Sequence, residues 1–154
     1  MLKAETAFSN STKHAISHPF VQKTVSNTLK TLNIKGFVFV DVAVVGEATM
    51  QRLNSFWRGK NRVTDVLSFS QLDKKNSTDE FVGPPDNVLR LGQIVICPSY
   101  VKKQARRMKN SEEGELKMVL VHGVLHLLGY DHENVSKERS QEMMSLQEKI
   151  LKEI

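Results

Sequence analysis

The sequence predicts an α+β fold, an α/β sandwich in which a small mixed four-stranded sheet is packed with about five helices. Two observations carry this expectation. Runs rich in β-branched and aromatic residues alternate with segments whose apolar residues recur every three or four positions. One such segment, late in the chain, is apolar almost all round, as a buried central helix must be. The 154 residues, 40% apolar and 25% charged, are enough to bury one core, so residues 1–154 read as one domain.

Taken in order, residues 1–15 hold at most a short first strand, because Ser9, Asn10, Ser11 and Thr12 dilute the pattern. Pro19 suits the first turn of a helix. Val21, Val25, Leu29 and Leu32 then recur at helical spacing, which predicts an amphipathic helix over 19–32. Residues 37–45 (FVFVDVAVV) read as a buried strand. Gly46 turns the chain into a short helix over 47–56, with Met50 and Leu53 inward. Residues 58–62 (RGKNR) form a compact basic turn before a strand at 64–70. Residues 71–88 are polar, with Gly-Pro-Pro near the end, and read as a surface loop. A strand follows from Leu91 to Cys97, then a helix from Pro98 to about Met108. Asn110 or Ser111 can cap the next helix, whose first turn carries Glu112, Glu113 and Glu115, as the macrodipole favours. It runs to Leu128, and Gly129 can end it in the left-handed conformation. Ser136 can cap a last helix with Met143, Leu146, Ile150 and Ile154 on one stripe.

Composition narrows the class. No apolar run approaches the ~18 residues that span a bilayer, and the first residues do not read as a signal peptide, so no membrane role is expected. The one cysteine, Cys97, cannot form an internal disulfide, so a reducing cytoplasm is the default and Cys97 reads as a small buried hydrophobe. A net charge of +5 suits a polyanionic partner without requiring one.

The chemistry concentrates in residues 121–132 (VHGVLHLLGYDH), which hold three of the five histidines. His122 and His126 are four apart, so a helix puts both on one face, roughly 5–6 Å apart at Cβ. Gly129 lets the chain double back, and His132 can then approach the same point. Three neutral imidazoles with a fourth position open is the pattern of a catalytic zinc, one ion per chain, rather than of a closed structural site. The bland alternative is a pair of core histidines bonded to backbone or carboxylates, with His132 on the surface. The spacing is that of the metzincin proteases, H-E-x-x-H-x-x-G-x-x-H, except that Gly123 stands where those enzymes carry their glutamate base. Asp131 can orient a ligand, or can simply bond its own turn.

Upstream, Arg58, Lys60 and Arg62 surround a glycine turn, and a planar guanidinium suits phosphate. Trp57 beside them reads as a core anchor rather than a base-stacking surface. Lys102, Lys103 and Arg106 form a basic helix face, either simply solvated or able to track an RNA backbone.

Three segments together resemble a known family. HGVLHLLGYDH at 122–132, RGKNRVTDVLSF at 58–69 and LGQIVI at 91–96 occur in the order and spacing of the YbeY family, bacterial metal-dependent endoribonucleases of rRNA maturation. The resemblance spans nearly the whole chain. Its departures, at Asn61, Val63, Ser70 and Gln93, touch no histidine. It implies a single-strand-directed ribonuclease that associates with the ribosome and acts in small-subunit rRNA 3′ end processing and rRNA quality control. By that match, His122, His126 and His132 would hold zinc, and Arg58 would stand at the active-site cleft. RNA as substrate comes from the resemblance alone. Two other readings stay open from the residues: a metzincin-like zinc peptidase, against which Gly123 argues, and a non-catalytic ribosome-assembly factor in which a structural zinc staples the last helix to the central one.

Overall fold

A computed structural model describes residues 1–72 and 87–154. In chain order the elements are β1 (Leu2–Asn10), α1 (His18–Thr31), β2 (Gly36–Val44), α2 (Glu47–Arg58), β3 (Val66–Ser70), β4 (Val88–Ile96), α3 (Pro98–Met108), α4 (Glu112–Leu127) and α5 (Lys137–Glu153). The α+β expectation holds, with four strands in the order β1-β2-β4-β3. β1 pairs with β2 and β2 with β4 in parallel, while β3 runs antiparallel to β4 and forms one edge.

The first strand is fuller than the sequence suggested. All nine residues of β1 pair with β2, from Leu2 opposite Gly36 to Asn10 opposite Val44. α1 anchors the strand sideways: the Thr6 hydroxyl donates to Gln22 Oε1 at 2.8 Å, and Gln22 Nε2 donates to the Ala4 carbonyl at 2.7 Å. β4 also begins earlier than Leu91, because Val88, Leu89 and Arg90 pair with Phe37, Val38 and Phe39. The expected loop over 71–88 falls mostly outside the described residues.

The two faces of the sheet bury different helices. Val38, Val40, Val42, Leu91, Ile94 and Ile96 pack against α1, α3 and α4, whereas Leu67, Val95 and Cys97 pack against Met50 of α2. Cys97 is fully buried, as a small hydrophobe would be. α5 lies outside α4, with Met143 and Ile150 against Val121 and Leu125. α4 is therefore apolar on two sides. Leu120, Val124 and Leu127 face the sheet, Val121 and Leu125 face α5, and the remaining stripe carries His122 and His126. Burying each such leucine stabilises the fold by about 1.5–3 kcal/mol, which makes α4 a rigid base for its histidines.

Gly123 explains why α4 can lie so close to the sheet. A Cβ there would meet Ile94 side-chain atoms at 3.1 Å, so any side chain would need the fully buried Ile94 to give by a few tenths of an ångström. The protease base is absent from the sequence, and packing disfavours a larger residue in its place. Two serines of β3 secure the same approach: Ser68 Oγ donates to the Gly123 carbonyl at 3.4 Å and Ser70 Oγ to the Leu127 carbonyl at 2.8 Å.

Candidate metal centre and its cleft

Ser111 caps α4, its hydroxyl accepting from the Gly114 N–H at 3.0 Å, so the helix starts where the acidic first turn requires. At the other end the Gly129 N–H donates to the His126 carbonyl and the Tyr130 N–H to the Leu125 carbonyl, both at 3.0 Å. Gly129 has φ +97°, which an L side chain rarely adopts, and this reversal brings the chain back over the last turn. Asp131 Oδ1 then accepts from the His132 N–H at 2.8 Å and the Glu133 N–H at 3.3 Å. Asp131 thus shapes the turn that presents His132.

The three rings converge. His126 Nε2 lies 2.9 Å and His132 Nε2 3.0 Å from His122 Nε2. Protons alone satisfy this trio poorly. Gln147 Oε1, which can only accept, lies 2.8 Å from His122 Nδ1, so Nδ1 carries the hydrogen and Nε2 keeps its lone pair. One in-plane lone pair cannot accept from two converging rings with good geometry. A cation can take a lone pair from all three, and four-coordinate zinc at about 2.0–2.1 Å from each nitrogen needs them only slightly further apart. These atoms all lie within 4.8 Å of one another, so the donor set fits a divalent metal ion.

Electrostatics favour the ligating form. Burial pushes His126 down to about 4, and the neighbouring His122 and His132 add to the effect, with a smaller contribution from Arg58. Burial also lowers His122, against the opposing influence of the Gln147 amide. At neutral pH both rings are uncharged and can donate lone pairs.

The histidines sit in a cleft of about 730 Å³, which is also lined by Arg58, Lys60 and Arg62 and by the acidic Asp65, Asp131 and Glu133. α2 runs two residues further than the sequence suggested, so Arg58 is its last helical residue rather than part of the turn. The Gly59 N–H closes the helix on the Ser55 carbonyl at 3.0 Å, and the Lys60 N–H on the Asn54 carbonyl at 3.2 Å. Buried Asn54 donates from Nδ2 to the Arg62 carbonyl at 2.9 Å, pinning the whole basic segment. Among the described residues, none of Arg58, Lys60 and Arg62 has a carboxylate within ion-pair distance.

The basic face of α3 does not join this site. Lys103 pairs with Glu47 at 3.0 Å and Lys102 lies 3.7 Å from Glu112, while Arg106 is exposed, and none of the three lines the histidine cleft. Trp57 is not a core anchor: it is 61% exposed. α2 buries Asn54 where an apolar helix would bury a larger side chain, leaving its C-terminal aromatic residues outside.

Two residues at the cleft carried no signal in the sequence. Gln147 reaches His122 from α5, 25 residues along the chain, and is 4% exposed. A glutamine on a terminal helix reads as solvent-facing, and only its place one turn before Ile150 on the apolar stripe hinted otherwise. Asp65 lines the same cleft, its Oδ1 accepting from the Val66 N–H at 2.8 Å and its Oδ2 from Gln104 Nε2 at 3.3 Å.

Three convergent imidazoles, two on a buried helix and one on the turn after it, with Arg58, Lys60 and Arg62 in the same open cleft, define a class of α+β metal-site proteins suited to an anionic substrate. Comparison with known proteins narrows the class to one family. The family model described as "Endoribonuclease YbeY" matches residues 5–154. An endoribonuclease YbeY from Thermodesulfovibrio yellowstonii is 40% identical over 134 residues, covering 86% of this chain and 78% of its own. One from Persephonella marina is 40% identical over 141 residues, covering 91% and 85%. A solution structure of a Thermotoga maritima protein superposes with a TM-score of 0.64 at 32% identity, covering 97% of this chain and 88% of that one. This chain belongs to the YbeY endoribonuclease family. Among the described residues no helix is long and apolar enough to cross a membrane.

Proposed function

We propose that residues 1–154 form one zinc-dependent endoribonuclease domain that cleaves single-stranded rRNA in the cytoplasm. Its role would be maturation of the small-subunit rRNA 3′ end, within ribosome biogenesis and rRNA quality control, in association with small-subunit proteins. The observation that carries this reading is the convergence of three Nε2 atoms beside Arg58, Lys60 and Arg62 in one cleft. Family membership supplies the reaction class.

His122, His126 and His132 would hold the ion, which when bound supplies Lewis acidity at the phosphodiester. Arg58 would face the negative charge that develops on the phosphoryl oxygens, with Lys60 and Arg62 holding the neighbouring backbone. Asn54 keeps these cations in place by its bond to the Arg62 carbonyl. Gln147 fixes the tautomer and ring angle of His122. A Gln147→Leu variant, close to the parent in volume, is expected to bind zinc about ten- to a hundred-fold more weakly in a chelator competition. Its metal-free form should melt near the parent's temperature. Unchanged zinc affinity would show that His122 needs no such partner.

Chelation separates the catalytic from the structural reading. Removing metal should abolish RNA cleavage and restoring zinc should recover it, with only a modest fall in melting temperature, because the apolar contacts between α4 and α5 remain. A collapse of the fold on chelation would favour a structural metal. The peptidase reading lacks its glutamate base, because Gly123 stands at that position.

A further inference from the structure

The cleft accounts for phosphate but not for bases. Neither Phe56, 78% exposed, nor Trp57, 61% exposed, lines it, but both directly precede Arg58, which does. Trp57 immediately precedes Arg58, and its ring lies 5.7 Å from that of Phe69, which packs with Met50 on the α2 side of the sheet, the face opposite Ser68 and α4. Phe56 packs edge to face with Trp57 at 4.9 Å. Among the described residues the other exposed large apolar side chains are Met1, Leu72, Met108 and Met144, all aliphatic. Exposed aromatic rings thus occur together, on the last turn of the helix whose final residue, Arg58, lines the cleft.

Polar groups complete the surface. Phe56 forms one wall of a depression of about 580 Å³ that also includes Gln51, Arg52 and Asn61. Gln51 Nε2 donates to Asn61 Oδ1 at 3.0 Å. This leaves Gln51 Oε1 as an acceptor and Asn61 Nδ2 as a donor, without protein partners among the described residues. An aromatic wall, a guanidinium and a free acceptor–donor pair are what an unpaired nucleobase needs for stacking and edge contacts. Arg52 and Arg58 flank the rings; aromatic and arginine side chains also suit protein interfaces, but the amide edges of Gln51 and Asn61 and the family's ribonuclease activity favour a base as the occupant.

We propose that Phe56 and Trp57 form a stacking platform for unpaired bases of the RNA strand whose backbone enters the cleft. This inference rests on the endoribonuclease reading and deepens it: a duplex hides its base faces, so the platform would confer a preference for single strands. Phe56 and Trp57 would bind substrate, while Arg58 and the histidines act on it.

Trp57 is the one tryptophan of the chain, so intrinsic fluorescence reports the platform directly. Zinc-loaded protein is titrated with a fully 2′-O-methylated single strand, whose integrity is checked afterwards, and with the matching duplex. The single strand should quench the emission and the duplex should leave it nearly unchanged. With cleavable RNA, a Phe56→Leu/Trp57→Leu variant should raise KM about ten-fold or more at similar kcat, since stacking on one ring contributes about that much. Trp57→Phe should restore most of the affinity. Both substituted rings are exposed, so the variants should fold as the parent does. Quenching by strand and duplex alike, or unchanged KM in the double variant, would overturn the platform. So would quenching by small-subunit proteins but not by RNA, which would mark a protein-docking surface. If the parent protein cleaves no RNA, the endoribonuclease reading fails by itself, and the fluorescence titration still decides whether bases stack here.

Discussion

A His126→Ala variant should lose its metal and its ribonuclease activity together while keeping its fold. His126 supplies one of three converging nitrogens, and its ring is only partly exposed on the polar stripe of α4. Two imidazoles cannot hold an open site with useful affinity, so zinc binding should weaken by well over the ten- to hundred-fold that loss of a supporting partner costs. The fold should survive because the apolar faces of α4 are untouched and alanine is the best helix former. Below about pH 6.5 the metal-free variant should exceed the metal-free parent in stability, because the parent's His126 stays neutral down to about 4 while the unfolded chain's takes up a proton. Metal analysis, a melting curve and an RNA digest on one preparation check all three outcomes. Stoichiometric zinc in this variant would remove His126 from the ligand set.

Arg58→Ala should separate metal from catalysis. Arg58 is an exposed residue at the end of α2, so its removal leaves no buried partner unsatisfied. Zinc content should match the parent. Cleavage should fall by about 10²–10³-fold, the loss typical when one charge-stabilising group is deleted, and the fall should appear in kcat rather than KM. Arg58→Lys should recover part of it, because an ammonium restores charge but not the planar fork. Single-turnover kinetics at saturating RNA read this directly. Parent-like turnover in Arg58→Ala would pass the role to Lys60 or Arg62.

Much of the fold was legible because its signals are local. The helical spacing of Val21, Val25 and Leu29, and the capping Ser111 before three glutamates, need no tertiary information. β1 was underread because Ser9 to Thr12 diluted its pattern, whereas Asn10 bonds the turn that follows and the Ser11 N–H reaches the Val44 carbonyl of β2, contacts invisible along the strand. The early start of β4 depends on pairing with β2, which is likewise tertiary.

The histidine trio was legible for a different reason. Its geometry follows from helix periodicity and one left-handed glycine, both encoded within eleven residues. Gln147 was not, since its partner lies on another helix. Trp57 was misplaced because tryptophan is mostly buried in folded proteins, and here the neighbouring Asn54 occupies the inward position. Gly123 was read as a missing base, whereas its contact with Ile94 gives it a packing role that no spacing rule contains.

The most direct test of a three-histidine ribonuclease site is one paired digest. Purified protein of known zinc content is incubated with a single-stranded RNA and with its duplex, beside His126→Ala purified identically. Cleavage of the single strand by the parent, little cleavage of the duplex, and none of either by the variant is the expected result. Equal cleavage by parent and variant, or an intact single strand with the fully loaded parent, would contradict it.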